Sequence, residues 1–288
     1  MEGDDTYTKM ANGIFCPHLP LTHRDEQYDS QGFDALWNMQ CRHFWYRGRH
    51  RFLQCAFQRS CAAILRPAAG SLRVIDLGGG CGGWVKYLHD RDGALIGELA
   101  LGDSSIQALE RAEKLVAPSV ARYQIDLLRL GWKDRWDVAF LLDVMEHIPD
   151  DGEVLKQIHR SLRPGGLLFI TTPALQVFWS YHDELAHHLR RYSRSDFVHL
   201  AKTTGFELRD ARYFMFFLSP LLWLSRRSVR SANSNQREME ILARKAQEFP
   251  PSFINGVLTA VFGAETPLGF WIPFPWGTSI LGVFQKTR

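Results

Sequence analysis

Short apolar runs alternate with amphipathic segments from residue 72 onward. The strand-like runs are Leu72 to Leu77, Ala94 to Leu101, Trp136 to Leu142, Gly166 to Thr171, Phe206 to Tyr213 and Thr278 to Phe284. Helical patterns lie between them at Gly83 to His89, Ser105 to Leu115, Glu153 to Leu162 and Ser193 to Thr203. Continuous apolar strands that alternate with helices are typical of βαβ units. The pattern therefore predicts an α/β fold with a doubly wound, mostly parallel sheet.

Two segments depart from this alternation and divide the chain. Residues 1–70 are predicted to form a helical N-terminal cap, and residues 71–213 form the core. Residues 214–277 are rich in aromatic side chains and predict a helical insertion on the substrate side, before a final core strand in residues 278–288. The aromatic surface of the insertion favours binding of an apolar or aromatic small molecule, with Phe217 and Trp223 as candidate contacts.

Composition limits the classes of partner. The 288 residues carry 34 Lys and Arg against 31 Asp and Glu, too small an excess for general nucleic-acid binding. The five cysteines show no zinc-ligand spacing, and the N-terminus shows no signal-peptide pattern, so we expect a cytoplasmic protein. The longest apolar run, Phe214 to Leu224, is shorter than the roughly 18 to 20 residues that span a bilayer.

A glycine-rich loop follows the first core strand. Val74 to Gly83 reads VIDLGGGCGG, in which glycines let the backbone turn sharply and approach a nucleotide ligand. Gly78, Gly80 and Gly83 also satisfy the GxGxxG pattern of dinucleotide-binding dehydrogenases, and Asp103 stands about 20 residues further on. The loop alone therefore leaves two classes of nucleotide cofactor open.

Five ordered motifs favour one of these two classes: Val74 to Gly82, the acidic Asp103, the acidic Asp126, the segment DVMEHIPDD from Asp143, and LRPGGLLFITTP from Leu162. In this combination the chain resembles the class I S-adenosylmethionine-dependent methyltransferases. The resemblance covers about residues 43–206. It implies a Rossmann-like, mostly parallel sheet of seven strands and S-adenosyl-L-methionine as the cofactor. A dehydrogenase has no reason to carry the last two motifs.

The resemblance also implies the cofactor contacts, residue by residue. Gly78, Gly80 and Gly82 would pass under the methionine part, Asp76 would reach its amine, and the backbone at Leu142 and Asp143 would border the sulfonium. Asp103 would hold the ribose hydroxyls with Ser104 beside it, while Asp126 and the backbone of Leu127 would contact the adenine.

The N-terminal segment HFWYRGR, from His43, resembles one that precedes the core in a bacterial branch of these enzymes. Aromatic rings beside an arginine suit closure over a cofactor that has an adenine face and a carboxylate. Trp45, Tyr46 and Arg47 are the predicted contacts. The alternative is an amphipathic helix that only packs on the sheet.

The segment from Trp179 to Tyr192 resembles the WSxHDxxxxHxRRY stretch of the same branch of enzymes. A neutral histidine can act as a general base, so His147, His182 and His188 are the candidate bases, with Asp143 added to the catalytic set. Candidate acceptor contacts in the stretch are Trp179, Arg190 and Tyr192. The alternative is a hydrogen-bonded lid that orders the loop.

No metal is expected from the spacing of these residues. His182, Asp183, His187 and His188 are close in sequence, but no further histidine or cysteine follows at a recognisable interval.

The predicted function is methyl transfer from S-adenosylmethionine to an O, N or C nucleophile of a small, largely apolar or aromatic metabolite, with in-line displacement at the methyl carbon. The basic residues Arg226, Arg227 and Arg230 add peripheral contact with a membrane surface or a lipid-linked acceptor as a further hypothesis. Two alternatives stay open: a non-catalytic cofactor-binding partner protein and a nicotinamide-dependent dehydrogenase.

Overall fold

A single mixed sheet forms the centre of the molecule. The computed structural model describes residues 6–21, 39–40, 42–227 and 250–287. The strands, in chain order, are β1 (Tyr7–Lys9), β2 (Ile14–Pro17), β3 (Leu72–Leu77), β4 (Ile96–Asp103), β5 (Ala121–Gln124), β6 (Trp136–Leu142), β7 (Leu162–Pro173), β8 (Phe206–Phe214) and β9 (Ser279–Lys286). Their spatial order is β1-β2-β5-β4-β3-β6-β7-β9-β8.

Helices cover both faces of this sheet. They are α1 (Phe44–Ser60), α2 (Gly83–Asp92), α3 (Ile106–Ala112), α4 (Asp151–Ser161), α5 (Tyr181–Leu185), α6 (Arg194–Thr204), α7 (Ser219–Arg227) and α8 (Ser252–Trp271). One buried cluster joins α1, α2, α3 and α8 to the sheet, and a second joins α4 and α6 to the opposite face. The predicted doubly wound α/β architecture is therefore confirmed.

The central strands are parallel because each is buried on both faces and connected through a helix. Strand β3 pairs in parallel with β4 and with β6, and β6 pairs in parallel with β7. Strand β9 is antiparallel to both of its neighbours, β7 and β8. The loops after β3, β4, β6 and β7 consequently meet at one edge, where ligands of open α/β sheets bind.

The predicted strand count was wrong, because the N-terminal region adds two strands to the seven. Strands β1 and β2 form an antiparallel hairpin, and β2 continues the sheet by pairing in parallel with β5. Tyr7 and Ile14 anchor the hairpin through buried side chains. Residues 1–70 are therefore not entirely helical, although α1 occupies the later part of this segment.

Helix α1 packs closely on α8, the long helix of the predicted insertion. At the crossing, a Cβ atom on Gly48 would lie 2.0 Å from the ring of Phe262, which is fully buried. Rings of Phe52 and Phe270 meet nearby with centroids 4.7 Å apart. The N-terminal helix and the insertion thus form one layer over the same face of the sheet. None of the described helices is long and apolar enough to cross a membrane.

Candidate active site

The glycine-rich loop joins β3 to α2 at the carboxyl edge of the sheet. Asp103, at the end of β4, accepts hydrogen bonds from the backbone N–H groups of Gly80, at 2.7 Å, and Ser105, at 2.9 Å. A Cβ atom on Gly79 would lie 2.4 Å from a carboxylate oxygen of Asp76. Gly82, with φ +82°, begins α2 in a left-handed conformation. The loop therefore requires glycine for its close approach and its turn.

Asp76 is a buried carboxyl group beneath this loop. Its side chain is nearly inaccessible, and its Oδ1 atom has no hydrogen-bond partner among the described residues. Burial raises the pKa of Asp76 to about 7, against the opposing charge of Arg49. A cationic ligand group would satisfy this oxygen and favour the ionised form.

Helix α1 contributes a buried arginine to the site. Arg49 forms an ion pair with Asp143 and lies over the rings of Trp45 and Tyr46, with its guanidinium carbon 4.7 and 5.1 Å from their centroids. Asp143 follows β6 with a positive φ of 56°, a conformation that non-glycine residues adopt mainly where the surroundings enforce it.

The sequence prediction named Arg47 in place of Arg49. Arg47 is exposed and lines a different cleft, between α1, α2 and α8. Helical spacing gives the reason: Arg49 stands four residues after Trp45 and three after Tyr46, so all three share one face of α1. That spacing was the signal that could have identified Arg49.

A cavity of about 300 Å³ joins the glycine loop to the segment after β7. The predicted residues that line it are Trp45, Tyr46, Asp76, Gly78, Gly80, Leu142, Asp143, His147, His182 and His188. The prediction missed several others: Gln40, Arg49, Glu146, Asp183 and Arg191. Gln40 accepts a hydrogen bond from the backbone N–H of Gly83 at 3.1 Å, which fixes the start of α2.

The residues predicted for the adenosine part do not line this cavity. Asp103 and Ser104 lie at the end of β4. Gly82, predicted for the methionine part, is also absent from the lining, and a Cβ atom on it would lie 2.6 Å from the Val116 side chain. Asp126 accepts the backbone N–H of Leu128 at 2.9 Å and lines a separate cleft formed with residues of the N-terminal hairpin and the chain after it. Leu127 beside it is buried. These assignments stay predictions.

The predicted acceptor contacts also lie outside the cavity. Arg190 and the buried Tyr192 both bond Asp151, at 3.0 and 2.8 Å, which ties the segment after α5 to the start of α4. Trp179 is half-buried, and Phe217 is 46% exposed. Trp223 lines an apolar groove with Trp276 on the outer surface.

Asp183 organises the histidine side of the cavity. Arg191 donates to its two carboxylate oxygens at 2.8 and 2.9 Å, and the backbone N–H of Ser180 donates at 2.8 Å. The Nδ1 atom of His188 lies 2.9 Å from Asp183 Oδ1. Burial alone would raise the pKa of Asp183, but the hydrogen bonds from His188 and Arg191 outweigh it and lower the pKa. An ionised Asp183 holds the proton of His188 on Nδ1 and leaves the lone pair on Nε2.

Glu146 and His147 stand opposite His188. Glu146 is completely buried, and neither of its carboxylate oxygens has a hydrogen-bond partner among the described residues. Burial raises the pKa of Glu146 well above its usual range, and Asp143 adds to the effect. The His147 and His188 rings meet edge to face with centroids 4.9 Å apart. Burial, with His188 and His187, lowers the pKa of His147 to about 4, so this ring is neutral.

The fold and the loop at its edge define a class I S-adenosylmethionine-dependent methyltransferase: a mostly parallel sheet, the antiparallel strand β9 inserted between β7 and β8, and an acidic glycine-rich loop after β3. A family model described as a methyltransferase domain matches residues 46–211, more than half of the chain. The chain belongs to this methyltransferase domain family.

Curated relatives match part of the same core. A ubiquinone biosynthesis O-methyltransferase of Pseudomonas aeruginosa is 27% identical over 109 residues, which are 37% of this chain and 47% of the relative. The same-named protein of Azotobacter vinelandii is 28% identical over 102 residues, 35% of this chain and 44% of the relative. The chain thus spans about half the length of the curated relatives it matches.

A solved structure extends the similarity of fold. Phosphoethanolamine N-methyltransferase 2 of Haemonchus contortus, in complex with S-adenosyl-L-methionine, superimposes with a TM-score of 0.56 at 18% identity. The match covers 95% of this chain and 62% of that chain. At this level of identity the likeness describes the fold alone.

The cavity fits the family's cofactor. The loop leaves no room for a Cβ atom at Gly78, where it would lie 2.7 Å from the Val144 side chain, so this position of the cavity lining requires glycine. The unpartnered Asp76 Oδ1 is available to a cationic amine, and the rings of Trp45 and Tyr46 border the same space. These are the residues that would hold the methionine part of S-adenosylmethionine.

Proposed function

We propose that this protein transfers a methyl group from S-adenosylmethionine to a hydroxyl oxygen of a small acceptor with an apolar or aromatic body. One observation carries the proposal: a single cavity joins the glycine loop and Asp76 to His147, His182 and His188. The choice of oxygen is supported by the relatives, whose printed name is O-methyltransferase.

The protein's contribution is placement, water exclusion and proton transfer. When bound, S-adenosylmethionine supplies an electrophilic methyl carbon, whose bond to sulfur breaks with the electron pair staying on sulfur. Asp76 and the glycine loop orient the donor, and alignment of the acceptor oxygen with this carbon supplies most of the acceleration. The hydroxyl proton passes to Nε2 of His188, since Asp183 keeps the other ring nitrogen protonated.

The acceptor's body is inferred from the rest of the lining. Trp84, Met215 and Leu222, which are not assigned to the cofactor, supply aromatic and aliphatic surface around the polar groups. Such a lining binds a flat or apolar molecule and leaves its reacting oxygen to the histidines. Arg190, Tyr192, Phe217 and Trp223 do not line this space, so the acceptor contacts proposed here are the cavity residues in their place.

The insertion supports delivery of the acceptor from an apolar surface. On α8 the side chains of Phe253 and Trp271 are 82% and 87% exposed, and Leu221 and Leu224 on α7 are also exposed. Exposed apolar surface of this kind suits contact with a membrane surface or a lipid-linked acceptor. Arg230 of the predicted basic segment lies outside the described residues.

We further propose a cytoplasmic setting. It is supported by the four cysteines in the described part of the chain, all of which carry free thiols. The division of the chain at residues 70, 213 and 277 is likewise a proposal, supported by the insertion helices α7 and α8 between β8 and β9.

The test is turnover with a panel of phenols, catechols and prenylated phenols, followed by the formation of S-adenosylhomocysteine. We expect His188→Gln to lose at least 10²-fold in turnover, the usual contribution of a general base, while it binds S-adenosylhomocysteine normally. His199→Ala, which removes an exposed histidine on α6, is the matched control. Cofactor binding without turnover on any acceptor would favour a non-catalytic binding protein.

A further inference from the structure

Three side chains of metal-ligand type converge in the cavity. One ligand atom from each of Glu146, His147 and His188 lies within 4.8 Å of the others, and His188 Nε2 is 4.0 Å from a Glu146 carboxylate oxygen. A four-coordinate ion with bonds of about 2.1 Å holds its ligand atoms about 3.4 Å apart. Side-chain movements of about one ångström would bring all three atoms into a common coordination sphere. The spacing argument missed this group because its members lie on two separate segments.

The buried carboxylate of Glu146 points to a cation independently of this spacing. The residue has no solvent exposure, and both of its oxygens lack hydrogen-bond partners among the described residues. Buried polar groups are almost always hydrogen-bonded, paired or coordinated to metal. The nearby arginines are already engaged, Arg49 with Asp143 and Arg191 with Asp183. The carboxylate therefore faces the two imidazole rings, with His188 Nε2 at 4.0 Å, and Arg49 and Arg191 act on it through their charge without a direct hydrogen bond.

The hydrogen bonds around His188 are those of a metal-binding histidine. Its Nδ1 atom bonds Asp183, and Arg191 holds that carboxylate in place. A carboxylate on the far nitrogen fixes the ring and raises the basicity of the nitrogen that binds the metal. Here it leaves Nε2 directed toward Glu146.

We propose that Glu146, His147 and His188 bind one divalent transition-metal ion. Two imidazole nitrogens and one carboxylate oxygen favour zinc, manganese or iron over magnesium, which prefers oxygen ligands. Three protein ligands leave at least one position open to another molecule. The binding itself does not depend on the proposed methyl transfer.

The role of the ion in catalysis does rest on the proposed function. An ion in this place would bind the acceptor's hydroxyl oxygen and lower the pKa of that hydroxyl. Nε2 of His188 would then bind the metal in place of acting as the general base, and His182, which lines the same cavity, would accept the hydroxyl proton instead.

The test uses the full chain and the metal alone. After treatment with a chelator and dialysis, the protein is titrated with Zn²⁺ against a chromogenic competitor, and separately with Co²⁺, whose visible absorption reports its ligands. We expect one equivalent of metal to bind. Glu146→Gln and His188→Gln should each weaken metal binding by more than the roughly 10- to 100-fold that is lost when a residue that only hydrogen-bonds a ligand is removed. His199→Ala should bind as the wild type does.

Glu146→Gln keeps the shape of the side chain, and its thermal melting curve shows whether the fold is retained. Wild-type protein that binds no Zn²⁺, equal binding by Glu146→Gln, or displacement of Zn²⁺ by equimolar Mg²⁺ would each overturn the proposal. Metal binding by a protein that transfers no methyl group would support the site and contradict the proposed function. Full methyl transfer after chelation would contradict the catalytic role of the ion.

Discussion

Asp76 provides a test of the site in which stability and ligand binding move in opposite directions. In the unfolded chain an aspartate ionises near pH 3.8, whereas burial raises the pKa of Asp76 to about 7 in the folded protein. Between these values the folded state holds the proton more tightly, so this group lowers stability as the pH rises, and the effect levels off above pH 7. Asp76→Asn removes the ionisable group and should make the protein without ligand more stable.

The size of the effect follows from the shift. A difference of about three pKa units corresponds to about 4 kcal/mol, the upper limit of the gain at pH 8. At pH 5 most of this difference is absent, so the advantage of Asp76→Asn should grow by about 3 kcal/mol between pH 5 and pH 8. Urea unfolding of both proteins at the two pH values measures this change.

Cofactor binding should move the other way. A cationic amine near Asp76 favours the ionised carboxylate, so wild-type affinity for S-adenosylhomocysteine should rise from pH 6 to pH 8, and Asp76→Asn should lose both affinity and this pH dependence. Isothermal calorimetry gives both quantities. Asp103→Asn is the control: it weakens the hydrogen bonds to Gly80 and Ser105 and should lose affinity with no gain in stability. A stability difference for Asp76→Asn that is the same at pH 5 and pH 8 would refute the reasoning.

Two further predictions concern packing and buried charge. Gly48→Ala should lower the free energy of unfolding by about 1 to 3 kcal/mol, because its methyl group would overlap the Phe262 ring. Gly256→Ala, which has open space around it on α8, should raise the free energy of unfolding by about 0.5 to 1 kcal/mol. Chemical denaturation measures both changes. Arg191→Met should cost about 3 to 5 kcal/mol, because the buried Asp183 would lose the arginine of its ion pair and keep only its hydrogen bonds with His188 and the Ser180 backbone. Arg190→Met, whose pair with Asp151 is partly exposed, should cost about 1 kcal/mol or less. Equal losses in the two variants would contradict this assignment.

The parts of the fold that the sequence predicted are those with a strong local pattern. β3 and β6 have the predicted bounds, because each is a mostly apolar run that is followed directly by a glycine or an aspartate. β1 and β2 have three and four residues in a polar segment, too few for any periodicity to show. Their pairing depends on β5, a distant segment whose position only the tertiary structure gives.

The candidate site likewise contains residues that motifs predicted and contacts that only the tertiary structure reveals. Motif spacing predicted that Asp76, the glycine loop and the three histidines share one cavity, since Asp76 lies near the end of β3 and the others follow core strands. It could not show that Glu146 faces His188, because these residues come from the loops after β6 and β7. Motif spacing also could not show that Arg190 points away from the cavity and bonds Asp151. That contact depends on how the loops after β6 and β7 lie beside each other in the folded protein.

The charges that line the cavity explain why the proposed ligand-binding carboxylates are also buried groups without an arginine partner. Four carboxylates line it against two arginines, and each arginine already pairs with one carboxylate. The two left over are Asp76 at the glycine loop and Glu146 beside the histidines, and burial raises the pKa of both. Both carboxylates are therefore easier to protonate than an exposed carboxyl group, at positions where ligands would bring positive charge. A cationic amine at Asp76 and a metal ion at Glu146 would each favour the ionised carboxylate, so each binding equilibrium should release protons at any pH where the group is protonated beforehand.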